Sequence, residues 1–305
     1  MTKIITKKAI DRRKHWVEKI RKLSGNFVDD STRLEKKLIS EIKADSVSAL
    51  IDHLRLCGDI PESYGHDSSE EKLYSKYTDS LLCESYKAMG MNSLVLTERA
   101  DAADVEAFAN NYSFVADAKA FRLSRTAKNQ KDFKVQAMDG WKRGKPFAMV
   151  VCPIYQLPTR SSQIYEQASS RNVCIFTYSH LSMLVRFSQE EGNQRTEELL
   201  ELVFKAIPAL NPSKEAAPYW SAVNKAMLGF SNKIDELWKA EKQAAVESIS
   251  IARDEALTYL AKEREKIMRM SLEDARKELV KVHKIESRIT MIQSVSNNEI
   301  LAIGN

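Results

Sequence analysis

A chain of 305 residues with 43% hydrophobic and 29% charged side chains has the balance of a soluble globular protein, long enough to bury a sizeable core as one large domain or two. No apolar run approaches the roughly 18 residues that span a bilayer, and the opening Met-Thr-Lys-Ile-Ile-Thr-Lys-Lys has no apolar stretch ahead of a cleavage site, so no membrane partner and a cytoplasmic location are expected. The net charge of +5 is segregated: residues 1–24 hold nine Lys or Arg against two acids, and residues 119–134 hold six against Asp132 alone.

Charge concentrated in this way is the footprint of phosphate contacts, although for residues 1–24 a solvated helix face is the simpler reading. Cys57, Cys83, Cys152 and Cys174 form no Cys-x-x-Cys pair and read as buried, reduced thiols. The nine glycines form neither a P-loop nor a dinucleotide fingerprint. The five histidines have no zinc spacing, and each reads as a surface or satisfied core residue.

The first 90 residues are helical in pattern. Ile10, Val17 and Ile20 recur on one face, and Asp45 or Ser46 opens a helix carrying Val47, Leu50, Ile51 and Leu54, with Gly58 and Pro61 as its stop. Ser68 and Glu71 form a capping box for a helix through Leu73, Tyr77, Leu81 and Tyr86 to Gly90. Glu71 is also a candidate extra carboxylate for a metal site.

Residues 91–210 carry the chemistry. From Ser113 to Phe121 the period is two, with Phe114, Ala116, Ala118 and Ala120 on one face and Val115, Asp117, Lys119 and Phe121 on the other, which predicts a strand. Asn110-Asn111 suits a two-residue turn, and such a turn sets Asp104 directly opposite Asp117. Facing carboxylates repel; a divalent cation between them removes the penalty, and Lys119 projects to the same point. Asp-x-Lys alone is ordinarily a surface ion pair. Here the strand, the opposed Asp104 and the basic continuation make it a candidate for metal-assisted phosphodiester hydrolysis.

Thr126 is expected to open a helix with Phe133, Ala137, Met138 and Trp141 inward, ended by Gly144 and Pro146. Phe147–Cys152 and Val173–Thr177 read as buried strands, with a helix through Ile164 and Ala168 between them. Strand and helix alternating in this order predict an α/β core. Pro208, Pro212 and Pro218 punctuate a connecting region. Residues 230–303 then lack Gly and Pro, and residues 211–305 are expected to form long helices, with Ser271 and Asp274 as an internal cap. Those helices either cover the core or pair with a second copy. The three parts (1–90, 91–210 and 211–305) are expected to form one compact unit.

Val115-Ala-Asp-Ala-Lys119 and Phe121-Arg-Leu-Ser-Arg-Thr-Ala-Lys-Asn-Gln-Lys-Asp-Phe-Lys-Val135 resemble, nearly without change, the corresponding run of the HindIII family of type II restriction endonucleases. Weaker similarity covers most of the chain, including Ser69-Glu-Glu-Lys-Leu-Tyr-Ser-Lys76 and the helical C-terminus. The resemblance implies the PD-(D/E)xK nuclease superfamily: a mixed central sheet flanked by helices, with helical N-terminal and C-terminal parts. Ala103-Asp104 and Asp117-Ala118-Lys119 fall on its motif. Ala103 departs from the motif proline and Asp117 from the more usual Glu, and neither change removes a carboxylate.

The resemblance implies Mg²⁺, with Mn²⁺ as a substitute, bound by Asp104, Asp117 and the Ala118 carbonyl, with Lys119 as the catalytic lysine. It implies cutting of both strands of double-stranded DNA at AAGCTT, in a restriction–modification system whose cognate methyltransferase acts on the same site. A palindrome calls for a homodimer. Arg122–Lys134 has the side chains for major-groove readout. Asn129, Lys131 and Asp132 are the first choices for bases, and Arg122, Ser124, Arg125, Lys128 and Lys134 for the backbone. Asp132 is close enough in sequence to join the active site. A nuclease with another target, or a DNA-binding structural protein without catalysis, are the competing readings.

Overall fold

The computed structural model describes residues 3–96, 102–125 and 130–294. It divides into two compact units, Met1–Ala256 and Leu257–Asn305. Among the described residues no helix is long and apolar enough to cross a membrane.

Helix α1 (Lys7–Arg21) starts at Thr6, whose hydroxyl accepts from the Ala9 N–H. Its basic residues are not all a solvated face. Arg12 and Arg13 are buried, because α2 (Phe27–Leu56) brings carboxylates to Arg12 and later segments bring them to Arg13. Arg12 pairs with Glu41 at 2.6 Å, with Asp45 at 2.5 Å and with Asp52. Arg13 pairs with Asp59 at 2.9 Å and Glu255 at 3.0 Å, and donates to the Leu56 and Asp59 carbonyls. A guanidinium with five donors can be buried only when they are met in this way. Helix α2 is kinked at Ser46 (φ 60°), where the sequence predicts a fresh helix start. Ser68 caps α3 (Ser69–Ala88) as expected, accepting from the Glu71 N–H at 3.2 Å. Glu71 reaches back to the Asp67 N–H at 2.7 Å, one residue earlier than a capping box requires.

Strands β1 (Asn92–Val95), β2 (Val105–Phe108) and β3 (Ser113–Ala118) form an antiparallel meander. The expected single helix from Thr126 is instead two pieces, α4 (Gln130–Phe133) and α5 (Val135–Trp141), parted at Lys134, which is left-handed at φ 48°. Thr126 lies outside the described residues. The break lets Phe133 and Val135, both buried, face the core; two residues apart on one helix they would point to opposite sides.

Strand β4 (Phe147–Cys152), helix α6 (Gln163–Ser170) and strand β5 (Val173–Thr177) follow. The sheet order is β1-β2-β3-β4-β5, antiparallel on one side of β3 and parallel on the other. Every residue of β4 and β5 is buried, as continuous apolar runs in a covered parallel sheet should be.

Helix α7 (Tyr178–Glu191) follows β5, and helices α8 (Asn193–Ala206) and α9 (Ala216–Leu228) occupy much of what reads in sequence as a connecting region. Pro218 falls in the first turn of α9, where a missing N–H costs nothing. Helix α10 (Asn232–Met268) buries Ile234, Leu237, Trp238, Glu241, Ala244, Ser248 and Ala252. Glu241 is buried because Arg55, at 2.5 Å, and Arg186, at 3.0 Å, neutralise it. Helices α11 (Leu272–Val282) and α12 (Ile285–Ser294) complete the described chain, with Ser271 capping α11 as predicted.

Candidate active site

The β2–β3 hairpin turns at Asn110-Asn111, with the Ala109 N–H donating to the Tyr112 carbonyl at 2.9 Å. Its pairs run from Phe108↔Ser113 to Val105↔Ala116, so the next step along the register sets Asp104 across from Asp117. The backbone of Asp104 is held by its carbonyl, which accepts from the Leu96 N–H at 2.8 Å. Beyond β3 the Lys119 N–H donates to the Val151 carbonyl at 2.7 Å, extending the pairing with β4 through the motif lysine.

Asp117 is 1% exposed and forms an ion pair with the Lys119 ammonium. Both its carboxylate oxygens are enclosed, and the groups that meet them are the Lys119 ammonium and the Asp104 carboxyl. A buried carboxylate stays ionised only with partners of this kind. Oxygen atoms of this kind, beside a second carboxylate, are a donor set suited to a hard divalent cation.

A third carboxylate stands close by. Asp79 on α3 is 2% exposed and pairs with Lys76 at 2.9 Å, and Lys76 also approaches Asp104 at 4.0 Å. The charges interact strongly. Burial, with Asp79 and Asp117 nearby, pushes the Asp104 carboxyl up. Burial also pushes Asp79 up, against the pull of Lys76. For Asp117 burial works in the same direction, but the adjacent Lys119 and the proton kept on Asp104 outweigh it and hold the group below its ordinary value. Burial works to lower the Lys119 ammonium, yet Asp117, Asp104 and Asp79 together raise it.

The sequence reading passed over Asp79 and Lys76. The available signal was an acid in the inward row of an amphipathic helix, three and seven residues before the buried Leu82 and Tyr86. Glu71, weighed there for the metal, engages the Asp67 N–H and Arg122. With His66 and Asp67 it forms the one cluster among the described residues whose three ligand atoms come within 4.8 Å, and His66 and Asp67 are exposed.

The chain beyond Lys119 is stitched to the segment between α2 and α3. The Phe121 N–H donates to the Gly58 carbonyl at 3.0 Å, and the Ile60 N–H donates to the Phe121 carbonyl at 3.2 Å. Glycine suits position 58, since a Cβ there would lie 2.9 Å from the Pro153 ring. Arg122 donates to the Gly65 carbonyl at 2.8 Å and pairs with Glu71 at 3.3 Å. Ser124 gives its N–H and hydroxyl to the two oxygens of Glu62, at 2.9 and 2.8 Å. Arg125 pairs with Asp132 and lies 5.4 Å from the Phe121 ring. Lys134 is exposed, its ammonium 5.4 Å from the Trp141 ring. Lys128 and Asn129, and the side chain of Lys131, lie outside the described residues.

The HindIII restriction endonuclease family matches residues 14–296. The chain is 34% identical over 292 residues to the type II restriction enzyme HindIII of Haemophilus influenzae, a similarity covering 92% of this chain and 95% of that protein. A match of that extent, over a mixed five-stranded sheet carrying paired aspartates and a lysine on adjoining strands, places the chain in the HindIII restriction endonuclease family, as a hydrolase that cuts DNA.

Proposed function

We propose that this enzyme is a Mg²⁺-dependent type II endonuclease, able to use Mn²⁺, that cleaves both strands of duplex DNA at a palindrome, AAGCTT. On this reading it is the cutting half of a restriction–modification system whose methyltransferase protects the same sequence, and it acts as a homodimer with one active site for each strand. The observation that carries the reading is the enclosed Asp117 carboxylate, in register with Asp104 and ion-paired with Lys119.

Asp104, Asp117 and the Ala118 carbonyl would hold the ion, and Asp79 adds negative charge behind them. When bound, Mg²⁺ supplies Lewis acidity at the scissile phosphate and a more acidic water. The Lys119 ammonium orients the attacking water and meets the charge that builds on the phosphoryl oxygens during in-line displacement of the 3′ oxygen. The low exposure of Asp117 and Lys119 strengthens these charge interactions by excluding water. Arg122–Lys134 reads the bases and grips the backbone. Arg122 and Ser124 contribute by fixing the start of that segment, since Gly65, Glu71 and Glu62 already engage them.

The test is digestion of a mixed DNA with and without Mg²⁺, followed by sequencing of the ends. Ends confined to AAGCTT and present only with the metal are expected. In the same assay Lys119→Ala should lose about 10²–10⁴-fold in rate while retaining sequence-specific binding. Ends at another sequence would overturn the target, and full activity in Lys119→Ala would overturn the role of the lysine.

A further inference from the structure

We propose that the buried Arg13–Asp59 ion pair is a positioning device for sequence recognition: it fixes Phe121, the residue on which both ends of the Arg122–Lys134 segment rest. The inference rests on the reading that this segment meets the DNA bases. Strand β3 keeps β4 as its neighbour as far as Lys119, whose N–H donates to the Val151 carbonyl. Two residues later the neighbour has changed. Phe121 forms a parallel bridge with Asp59, closed by the Phe121 N–H on the Gly58 carbonyl and the Ile60 N–H on the Phe121 carbonyl. The Phe121 ring is buried and lies 6.0 Å from the buried ring of Phe133. The segment leaves from Phe121 and comes back to it at Phe133.

A guanidinium holds this bridge from behind. Arg13 has five N–H donors in one plane, and each has an acceptor. Its Nε donates to Glu255 at 3.0 Å, and Nη1 to the Leu56 carbonyl at 2.6 Å and the Tyr74 hydroxyl at 3.1 Å. Its Nη2 donates to the Asp59 carbonyl at 3.2 Å and the Asp59 carboxylate at 2.9 Å. Asp59 is therefore gripped at backbone and side chain by one rigid fork, itself anchored to α2, α3 and α10. Burial pushes the Asp59 carboxyl up to about 7, against the pull of Arg13 and of the Leu123 backbone N–H. Through Leu123 the same carboxylate meets the recognition segment directly.

A buried ion pair adds little stability over well-packed apolar side chains of the same size. What it adds is direction, because charge-assisted hydrogen bonds fix angle as well as distance. Direction matters at Phe121: a displacement of about 1 Å there is passed to every side chain of the segment, and oriented contacts tolerate little of it. The catalytic lysine is insulated from such a displacement, since β4 holds its backbone. Loss of the pair should therefore impair recognition more than the chemical step.

The full-length protein and its Asp59→Leu, Asp59→Asn and Phe121→Leu variants are assayed for kcat and KM on an AAGCTT duplex and on duplexes with one base pair changed. Glu241→Gln is the control: Glu241 is as buried as Asp59 but pairs with Arg55 and Arg186, so it reports the loss of a buried acid by itself. Thermal midpoints confirm that each variant is folded at the assay temperature. Asp59→Leu should raise KM and lower discrimination between the duplexes by about tenfold, with kcat on AAGCTT within about twofold of the wild type. Asp59→Asn keeps one acceptor for Arg13 and should fall between the two. Phe121→Leu, which removes the ring that meets Phe133, should resemble Asp59→Leu, and Glu241→Gln should discriminate as the wild type does. Wild-type discrimination in both Asp59→Leu and Phe121→Leu, or an equal loss in Glu241→Gln, would overturn the proposal. Asn129→Ala, at a residue assigned to the bases, separates the two failures. If it loses discrimination while the Asp59 variants keep it, the positioning role fails and the reading of the segment stands. If it too discriminates like the wild type, the segment does not read the bases, and the proposal falls with that reading.

Discussion

Asp104 and Asp117 face one another across a hairpin, yet their charges should answer opposite tests. The folded, metal-free protein keeps a proton on Asp104 that the unfolded chain releases near pH 4. Linkage then fixes the sign: where the native state binds more protons, stability falls as pH rises, here from about 4 through the raised value. Asp104→Asn removes that term. It should make the metal-free protein more stable at pH 8 by about 1 kcal/mol or more while abolishing cleavage. Asp117→Asn should do the reverse to stability, since it leaves the Lys119 ammonium enclosed without its counterion. Urea unfolding of both variants at pH 5 and pH 8, without divalent metal, distinguishes the two signs. A loss of stability in Asp104→Asn at pH 8 would show that its carboxyl is not held against repulsion.

Among the elements, the start of α7 carries a titration of its own. Thr177 caps the helix by accepting from the His180 N–H and shares a 2.6 Å hydrogen bond with His180 Nδ1. The ring of His180 stacks on Trp238 at 4.2 Å and Trp220 at 5.7 Å, and burial pushes its imidazole down to about 3. Below about pH 6.5 the unfolded chain takes up a proton that the native ring refuses, so this residue should cost about 1.4 kcal/mol per pH unit between about 6.5 and about 3. Denaturant midpoints measured over that range should flatten by that slope in His180→Phe; an unchanged slope would mean the ring is reached by solvent.

The same scale shows what was legible in the chain. Phe147–Cys152 and Val173–Thr177 declare themselves because a strand covered on both faces must be apolar throughout. The hairpin register follows from a two-residue turn and a period of two. Strand β1 does not declare itself: Asn-Ser-Leu-Val is a four-residue edge strand whose burial is mixed. Arg12 and Arg13 read as solvated charges because their partners come from other segments, and periodicity does not register a long-range ion pair. The site was therefore readable where its residues share a hairpin, and unreadable where α3 closes it from behind.

On the scale of the whole molecule, net charge overstates what is available to DNA. Residues 1–24 and 119–134 look alike as basic runs, but the first spends Arg12 and Arg13 on Glu41, Asp45, Asp52, Asp59 and Glu255. In the second, Lys119, Arg122 and Arg125 face Asp117, Glu71 and Asp132. If all six cations of 119–134 neutralised phosphates, log Kd against log salt would have a slope of about 5 per chain. Pairs that must first part from a carboxylate release fewer counterions, so a shallower slope is expected. Lys134, exposed at the break between α4 and α5, should carry a full share: Lys134→Ala lowers the slope by about 1. Lys14→Ala, on the exposed side of α1, should leave it unchanged. Fluorescence anisotropy with a labelled duplex from 50 to 300 mM salt (concentrations on the order of those over which counterion release is read) measures both. Equal effects at positions 14 and 134 would move the DNA contact surface from the β3–α5 segment towards the N-terminal helix.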